Sequence, residues 1–411
     1  ASQGVGLDET TILDLAPGAQ AFREEDSYTV FDPADVEWQP IADHIIRLVE
    51  SRRPARVFVD SVSQFRYLTP DAYQFRKLML GFMRYITATG ATLLLATEAS
   101  PEAPDDDIQF LVDGVISVSQ VSERRELAVS KFRGSDYQAG VHTLRIGATG
   151  LAVYPRIIPE EHGRRTTPEL LASGVPELDR MLGGGLERGT GIVIAGPSGT
   201  GKTTLGVQFM KEAAGRGQRS VVFLFEERRE TLIDRCEAIN IPVRAMMENG
   251  VLVVREIEPL NITADEFAAM VREEVEGRGT QIVMLDSTSG YRMALTSDNL
   301  AFHLHALTRY LSNMGVAALL PNETGTVVGT EHAGITDHGI SYLADTIIIL
   351  RYLEAGGVIH KCLNVLKKRR SDFKKEICAF DITPYGLQVG GPVHGLRGVP
   401  ADGAEAAPRE S

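Results

Sequence analysis

The chain has 411 residues, 43% of them hydrophobic and 24% charged, with a formal net charge of −13 at pH 7. This length suits two or three globular domains, and no apolar run reaches the ~18–20 residues of a membrane-spanning helix. The acidic balance excludes a broad non-specific nucleic-acid surface, which needs a basic field, while leaving room for a local basic loop.

The N-terminal residues ASQGVGLDET have neither the basic start nor the apolar stretch of a secretion signal. Cys236, Cys362 and Cys378 are odd in number and lack metal-type spacing, so no disulfide framework is expected. A reducing cytoplasm is the expected location.

In chain order, the first strong signal is Arg56-Val-Phe-Val-Asp-Ser61, a short apolar run ending in Asp-Ser. Such a run reads as a buried parallel strand ending at an active edge. A helix-like stretch follows, then a second strand at Ala91–Thr97. Further on come Val129-Ser-Lys-Phe-Arg-Gly-Ser135 and Thr149-Gly-Leu-Ala-Val153.

All four features recur. Gln281-Ile-Val-Met-Leu-Asp-Ser287 answers the first and Val316–Pro321 the second. Val365-Leu-Lys-Lys-Arg-Arg-Ser371 and Pro384-Tyr-Gly-Leu-Gln-Val389 answer the others. From Asp60 to Asp286 the offset is 226, and from Lys131 to Lys367 it is 236. A repeat this long means two homologous domains rather than a solenoid.

Only 59 residues precede Asp60, so a counterpart of the second copy's glycine-rich loop would fall ahead of residue 1. The chain reads as a piece of a longer protein, in preference to a domain that has lost its nucleotide-binding half. The expected division is residues 1–155 as a partial domain without that loop and 156–168 as a linker rich in Pro and charge. Residues 169–392 form a complete domain, and 393–411 a disordered tail.

The second domain alternates strand and helix. Gly191–Ala195 and Ser220–Phe225 read as strands, and Thr203 to about Ala214 as a helix. Leu300, Leu304, Leu307 and Leu311 lie on one helix face. The predicted class is α/β, with a parallel sheet covered by helices.

Between the first strand and helix lies Gly196-Pro197-Ser198-Gly199-Thr200-Gly201-Lys202-Thr203, followed by Thr204. This is a complete phosphate-binding loop. Glycines let the backbone wrap an anion without a Cβ in the way, inward amides form the nest, and the helix adds its positive end. Lys202 serves the β and γ phosphates, and the Thr203 hydroxyl can ligate Mg2+. ATP with magnesium is the expected ligand.

Asp286, at a strand end, is the expected magnesium acid, acting directly or through water. Glu226 and Glu227 follow the neighbouring strand and can polarise an attacking water. Alternation along the chain points them in different directions, so one of the two is aimed at the water.

Lys367 and Arg369 lie in a basic run that could be a solvated or nucleic-acid-binding loop. Their recurrence as Lys131 and Arg133 favours a structural place in each domain. A cation that its own subunit cannot use could act on a neighbour's γ-phosphate, as an arginine finger does. His303 and His305, two apart on a helix, make a poor metal pair. His332 and His338 read as solvated loop residues.

Together these motifs resemble the KaiC group of RecA-type ATPases. The resemblance runs through Ser173–Asp179, Gly183–Gly185, the phosphate loop, Phe225–Glu227 and Asp286-Ser287. It continues through Ile335–Ser341, Ala344–Leu350 and Asn364–Arg369. It implies tandem RecA-like P-loop domains, the first truncated at its N-terminus. It also implies ATP-dependent homo-oligomers, hexameric in the clock members, with nucleotide between subunits.

By the same resemblance Glu226 and Glu227 take the catalytic positions, and Lys367 and Arg369 those that reach a neighbour's γ-phosphate. Clock members phosphorylate themselves at an adjacent Ser-Thr pair; here that place reads Ser341-Tyr342, which makes Ser341 a candidate phosphosite. Arg370 replaces the family's usual Gly in Lys-x-Arg-Gly-Ser. The expected function is ATP hydrolysis with signalling partner proteins, without membrane or nucleic acid. The alternatives are a DNA-dependent recombinase ATPase and an ATP-gated scaffold with negligible turnover.

Overall fold

Apolar runs too short for helices become parallel strands in both halves of the chain. The computed structural model describes residues 10–14, 38–66, 71–98, 105–122, 124–165, 167, 169–258, 262–294, 300–324, 344–355 and 358–393. The chain divides into two units, one ending at Val153 and the other beginning at Tyr154. His332, His338, Ser341 and the tail from 394 onward lie outside the described residues.

The first unit begins with α1 (Trp38–Arg52), β1 (Arg56–Val59), α2 (Ser63–Arg66), α3 (Ala72–Ala88) and β2 (Thr92–Leu95). It continues with α4 (Asp106–Leu111), β3 (Gly114–Val121), β4 (Arg124–Phe132), β5 (Val141–Gly147) and β6 (Gly150–Tyr154). Strands β1 and β2 pair in parallel, and β3 to β6 form a sheet in chain order. Helix α3 starts where the Asp71 side chain accepts the Gln74 N–H at 2.8 Å, satisfying an amide with no partner inside the helix. Its Phe75, Met79, Met83 and Ile86 share one face and are buried with Val49, Phe65 and Ile108.

The second unit opens with β7 (Leu170–Leu171), α5 (Pro176–Met181), β8 (Leu186–Glu187), β9 (Gly191–Gly196) and α6 (Lys202–Gly215). Next come β10 (Ser220–Leu224), α7 (Arg229–Glu237), α8 (Val243–Glu248), β11 (Leu252–Glu256) and α9 (Ala264–Arg272). Then follow β12 (Ile282–Asp286), α10 (Thr288–Ala294), α11 (Leu300–Asn313) and β13 (Ala317–Glu323). The last four strands are β14 (Thr346–Ala355), β15 (Val358–Lys368), β16 (Cys378–Thr383) and β17 (Gly386–Pro392).

These strands, from β9 on, build one sheet in the order β11-β10-β12-β13-β9-β14-β15-β16-β17. The strands from β11 through β14 run parallel. From β14 to β17 the pairing is antiparallel.

Strand periodicity divides the apolar residues between two cores. Ile192, Ile194, Val222, Leu224, Ile282, Met284 and Leu319 enter one core, beneath α6. Val193, Ala195, Val221, Phe223, Val283, Leu285 and Leu320 enter the other, beneath α9 and α11. Continuous apolar runs are what a sheet covered on both faces requires.

The repeat is visible in strand register. Val115 faces Lys131 while Ile116 faces Val129, with an irregularity between. Ile347 faces Lys367 while Ile348 faces Val365, with the same irregularity. In both places the lysine ammonium turns onto main-chain carbonyls: Lys131 onto Gln109 at 2.7 Å, and Lys367 onto Ala344 at 2.7 Å.

The Pro- and charge-rich stretch after Val153 is bonded to the second unit. Asn313 donates from its side chain to the Pro159 carbonyl at 2.7 Å and accepts the Arg164 N–H at 3.0 Å. His162 Nδ1 lies 3.1 Å from Glu276. The irregular sequence of this stretch reflects a path along α11 held by these single polar contacts and by Ile157, buried in the second core, rather than by a repeating face.

Helix α6 meets β12 through Gly206, where a Cβ would stand 2.4 Å from the Met284 sulfur. Gly206→Leu should lower the unfolding free energy by about 1–3 kcal/mol through overpacking. Urea unfolding measures this; unchanged stability would show that the helix can shift away from the sheet.

Candidate nucleotide site

The parallel strands deliver their C-terminal ends to one edge of the sheet. Leu224 is level with Asp286 across the β10–β12 pair, and Glu323 is level with Gly196 across β13–β9. One edge therefore collects Glu226, Glu227, Asp286, Glu323 and the loop between β9 and α6.

That loop needs its glycines. A Cβ on Gly196 would lie 2.4 Å from the Leu350 carbonyl oxygen, and one on Gly201 would lie 2.5 Å from Ile382 Cδ1. Gly199 and Gly201 have φ of 76° and 103°, where only glycine sits without strain. Pro197 and Ser198 span the turn between Gly196 and Gly199, and the Thr200 hydroxyl donates to the Pro197 carbonyl at 2.8 Å, fixing the turn. Thr204 is buried in the first turn of α6. A close-wound, glycine-dependent turn running into a helix N-terminus suits phosphate oxygens.

Lys202 opens the helix and folds back over the loop. Its ammonium donates to the Gly196 and Pro197 carbonyls at 2.9 and 2.8 Å. Burial pulls its pKa down, and the charges of Glu323, Asp286 and Glu226 oppose that fall.

The Thr203 hydroxyl hydrogen-bonds Asp286, whose carboxyl is pushed up to about 6, chiefly by burial, with Glu227 adding to the rise. A hydroxyl and a carboxylate side by side are hard oxygen donors of the kind Mg2+ prefers.

The two adjacent glutamates part company. Glu226 accepts the Ser287 hydroxyl at 2.8 Å, and Ser287 Oγ accepts the Gly290 N–H at 3.1 Å. Glu227 receives both arms of the Arg235 guanidinium at 2.8 Å. Such a forked pair neutralises and fixes Glu227, whereas the partner of Glu226 is the neutral Ser287 hydroxyl.

Close approach at this point also depends on a glycine: a Cβ on Gly290 would stand 2.3 Å from Phe225 Cβ. Beneath, the Thr288 hydroxyl donates to Asn322 Oδ1 at 2.8 Å, tying the ends of β12 and β13.

Lys367 and Arg369 stand elsewhere. The Arg369 N–H donates to Asp345 O at 3.0 Å, and the Asp345 N–H to Gly191 O at 2.8 Å. Arg369 is thus level with the first residue of β9, while the loop leaves its last. At ~3.3 Å per residue the two ends of that strand are about 17 Å apart.

Lys367 sits close by, its pKa lowered by burial and by Arg369. Between them Lys368 is buried, donating to the carbonyls of Leu182 and, at 2.9 Å, Gly185. It also pairs with Glu187 at 3.1 Å. A Cβ on Gly183 would meet the Asp372 carbonyl oxygen at 2.5 Å. The glycine turn and the basic strand end are therefore locked together.

His303 is half-buried, and burial lowers its pKa against the opposing charge of Asp265. His305 faces a separate cleft.

Motif reading did not single out Glu323, Arg235 or Asn322. Glu323 had a usable signal, since it ends an apolar strand as Asp286 does. The Arg235–Glu227 pair had none, because eight residues and a turn separate the two.

An Asp whose folded pKa is raised penalises the folded state once ionised. That penalty is absent below its ordinary value of 3.8, grows between there and about 6, and is full above. Asp286→Asn should therefore stabilise the nucleotide-free protein by on the order of 2–3 kcal/mol above about pH 7, and progressively less toward pH 4. Thermal melting across that range measures it; an equal gain at every pH would mean that Asp286 ionises normally.

Among the described residues, no helix is long and apolar enough to cross a membrane. The family model for the KaiC ATPase matches residues 10–157 and 171–393. The chain is 28% identical over 360 residues to the circadian clock protein KaiC3 of Synechocystis sp., covering 85% of this chain and 71% of that protein. It is 25% identical over 396 residues to the circadian clock oscillator protein KaiC of Acaryochloris marina, covering 94% and 74%. Against the circadian clock oscillator protein KaiC of Synechococcus elongatus it is 26% identical over 357 residues, covering 85% and 68%. With tandem α/β units and a phosphate loop at one sheet edge, the chain belongs to the KaiC family of ATPases and is a KaiC-like ATP-binding protein.

Proposed function

We propose that this ATPase hydrolyses Mg-ATP at a site shared between two copies of the chain. One copy supplies the loop Gly196–Thr204 with Asp286 and Glu226; the next supplies Lys367 and Arg369. The observation that carries this reading is the placement of those cations at the opposite end of β9 from Lys202. A guanidinium there is out of range of its own subunit's γ-phosphate. A head-to-tail contact brings it to the neighbour's, and repeated contacts of that kind close into a ring, here a hexamer.

Within the site the roles divide by charge. The loop amides and Lys202 hold the β and γ phosphates. Thr203 and Asp286 would hold magnesium, which would supply positive charge against the phosphate oxygens. Glu226, oriented by Ser287, takes the proton of the attacking water as its oxygen bonds to the γ-phosphorus and the bond to the β-phosphate oxygen breaks. Glu227, paired with Arg235, keeps that arginine against the end of β10. Arg369 and Lys367 stabilise the charge spread over the departing phosphoryl oxygens.

We further propose self-phosphorylation at Ser341, supported by the likeness of Ile335–Ser341 to the family's phosphorylated stretch, and a cytoplasmic signalling role with partner proteins. The net charge of −13 speaks against a DNA-dependent recombinase.

Lys202→Ala should weaken Mg-ATP binding at least about 100-fold, ~2.7 kcal/mol, by calorimetry. Glu226→Gln should spare binding and lower turnover about 10²–10⁴-fold; full turnover would remove it as the base. Arg369→Ala should lose turnover and regain part of it when mixed with Lys202→Ala subunits, because one mixed site is then intact. Absence of rescue would count against a shared site. Labelled ATP should mark Ser341, and label that persists in Ser341→Ala would place the modification elsewhere.

A further inference from the structure

At the N-terminal edge of the parallel strands, α11 and the end of β15 enclose a cleft of about 190 Å³. Its walls carry His305, Thr308 and Arg309 from α11, with Asp345, Arg369 and Arg370 facing them. The charges are unbalanced: three guanidinium groups face one carboxylate. Asp345 accepts the Gly191 N–H at 3.2 Å and lies 4.0 Å from Arg369. Among the described residues, no carboxylate is paired with Arg309 or Arg370.

Three exposed arginines around one cleft repel one another, and an anion would relieve that repulsion. The cavity is smaller than the ~300–1,000 Å³ of pockets that enclose whole ligands. It has room for a phosphoryl group rather than a nucleotide. The opposite edge of the sheet carries the reverse charge in Glu226, Glu227, Asp286 and Glu323, together with the phosphate loop. A second copy docking head to tail therefore presents anions to this cleft.

We propose that the cleft receives the terminal phosphoryl group of ATP held by a second copy, with Arg309 and Arg370 as phosphate ligands beside Arg369. This rests on the shared-site reading above and adds two residues to it. Arg309 comes from a helix outside the basic run, so the grip spans two elements of the fold. Arg370 stands one residue beyond Arg369, where it adds a donor fork to the same phosphate oxygens. Thr308 cannot compete for the anion, because its hydroxyl donates to main-chain carbonyls of α11 at 2.8 and 3.0 Å. The cleft thus distinguishes triphosphate from diphosphate by charge at the terminal position.

The test uses the full chain with Arg309→Gln and Arg370→Gly, each checked for wild-type melting and Mg-ATP binding. Sedimentation should show that each variant raises the protein concentration needed for assembly about tenfold with the slowly hydrolysed analogue ATPγS, and leaves assembly with ADP unchanged. Equal shifts with both nucleotides, or none, overturn the proposal. Turnover should fall about tenfold and recover on mixing with Lys202→Ala subunits, which carry an intact cleft. A defect that mixing does not repair places these arginines in their own subunit's chemistry and also overturns the proposal. If Arg369→Ala is rescued by mixing while Arg309→Gln and Arg370→Gly behave as wild type, this inference fails and the shared site stands. If Arg369→Ala itself has no effect, the shared-site reading fails with it.

Discussion

An ammonium half-buried against main-chain carbonyls, faced by carboxylates that favour its charged form, is the interaction on which this site turns. Lys202 is held by Gly196 O and Pro197 O, and burial alone would favour its neutral form. Glu323, Asp286 and Glu226 compensate from three different strand ends. A bound triphosphate offers the same charges in a better position. In the proposed reaction the lysine would exchange carbonyl oxygens for phosphate oxygens while the carboxylates turned to a metal. The loop therefore holds its cation ready without committing it to a permanent ion pair.

The sheet makes that arrangement inexpensive. Fully buried strands put successive residues into two separate cores, so each strand is fixed from both sides and its end is placed without help from loops. The groups that face Lys202 come from β10, β12 and β13, and none depends on a long flexible connection. Glycines at Gly196, Gly206 and Gly290 mark the places where helix, strand and loop approach more closely than any side chain permits.

Much of this was legible in the sequence, and the division between what was and was not has a physical cause. The loop, the strand-ending Asp286 and the recurrence of Asp-Ser and Lys-x-Arg are local patterns, written in residues adjacent along the chain. Tandem α/β units followed from those repeats and from the family resemblance. The forked pairing of Glu227 with Arg235 was not legible, nor was the burial of Lys368 against Leu182 and Gly185, because each contact joins separate elements. Alternation separated Glu226 from Glu227 but could not say what each would meet. That Arg369 lies a full strand length from the loop emerged only from the register of β15 on β14 and β14 on β9.

The anchoring of Lys368 has a wider meaning. Its side chain fastens the turn at Gly183–Gly185 to the segment that bears Arg369, and Gly183 leaves no space for a Cβ against Asp372. A disturbance of that turn cannot stay where it occurs, because the strand end moves with it. In an assembly built as proposed, the fault would surface in the molecule next door. A genetic lesion in one protomer would then score as a biochemical defect of its neighbour, and dominance in mixed populations would follow from geometry rather than from misfolding.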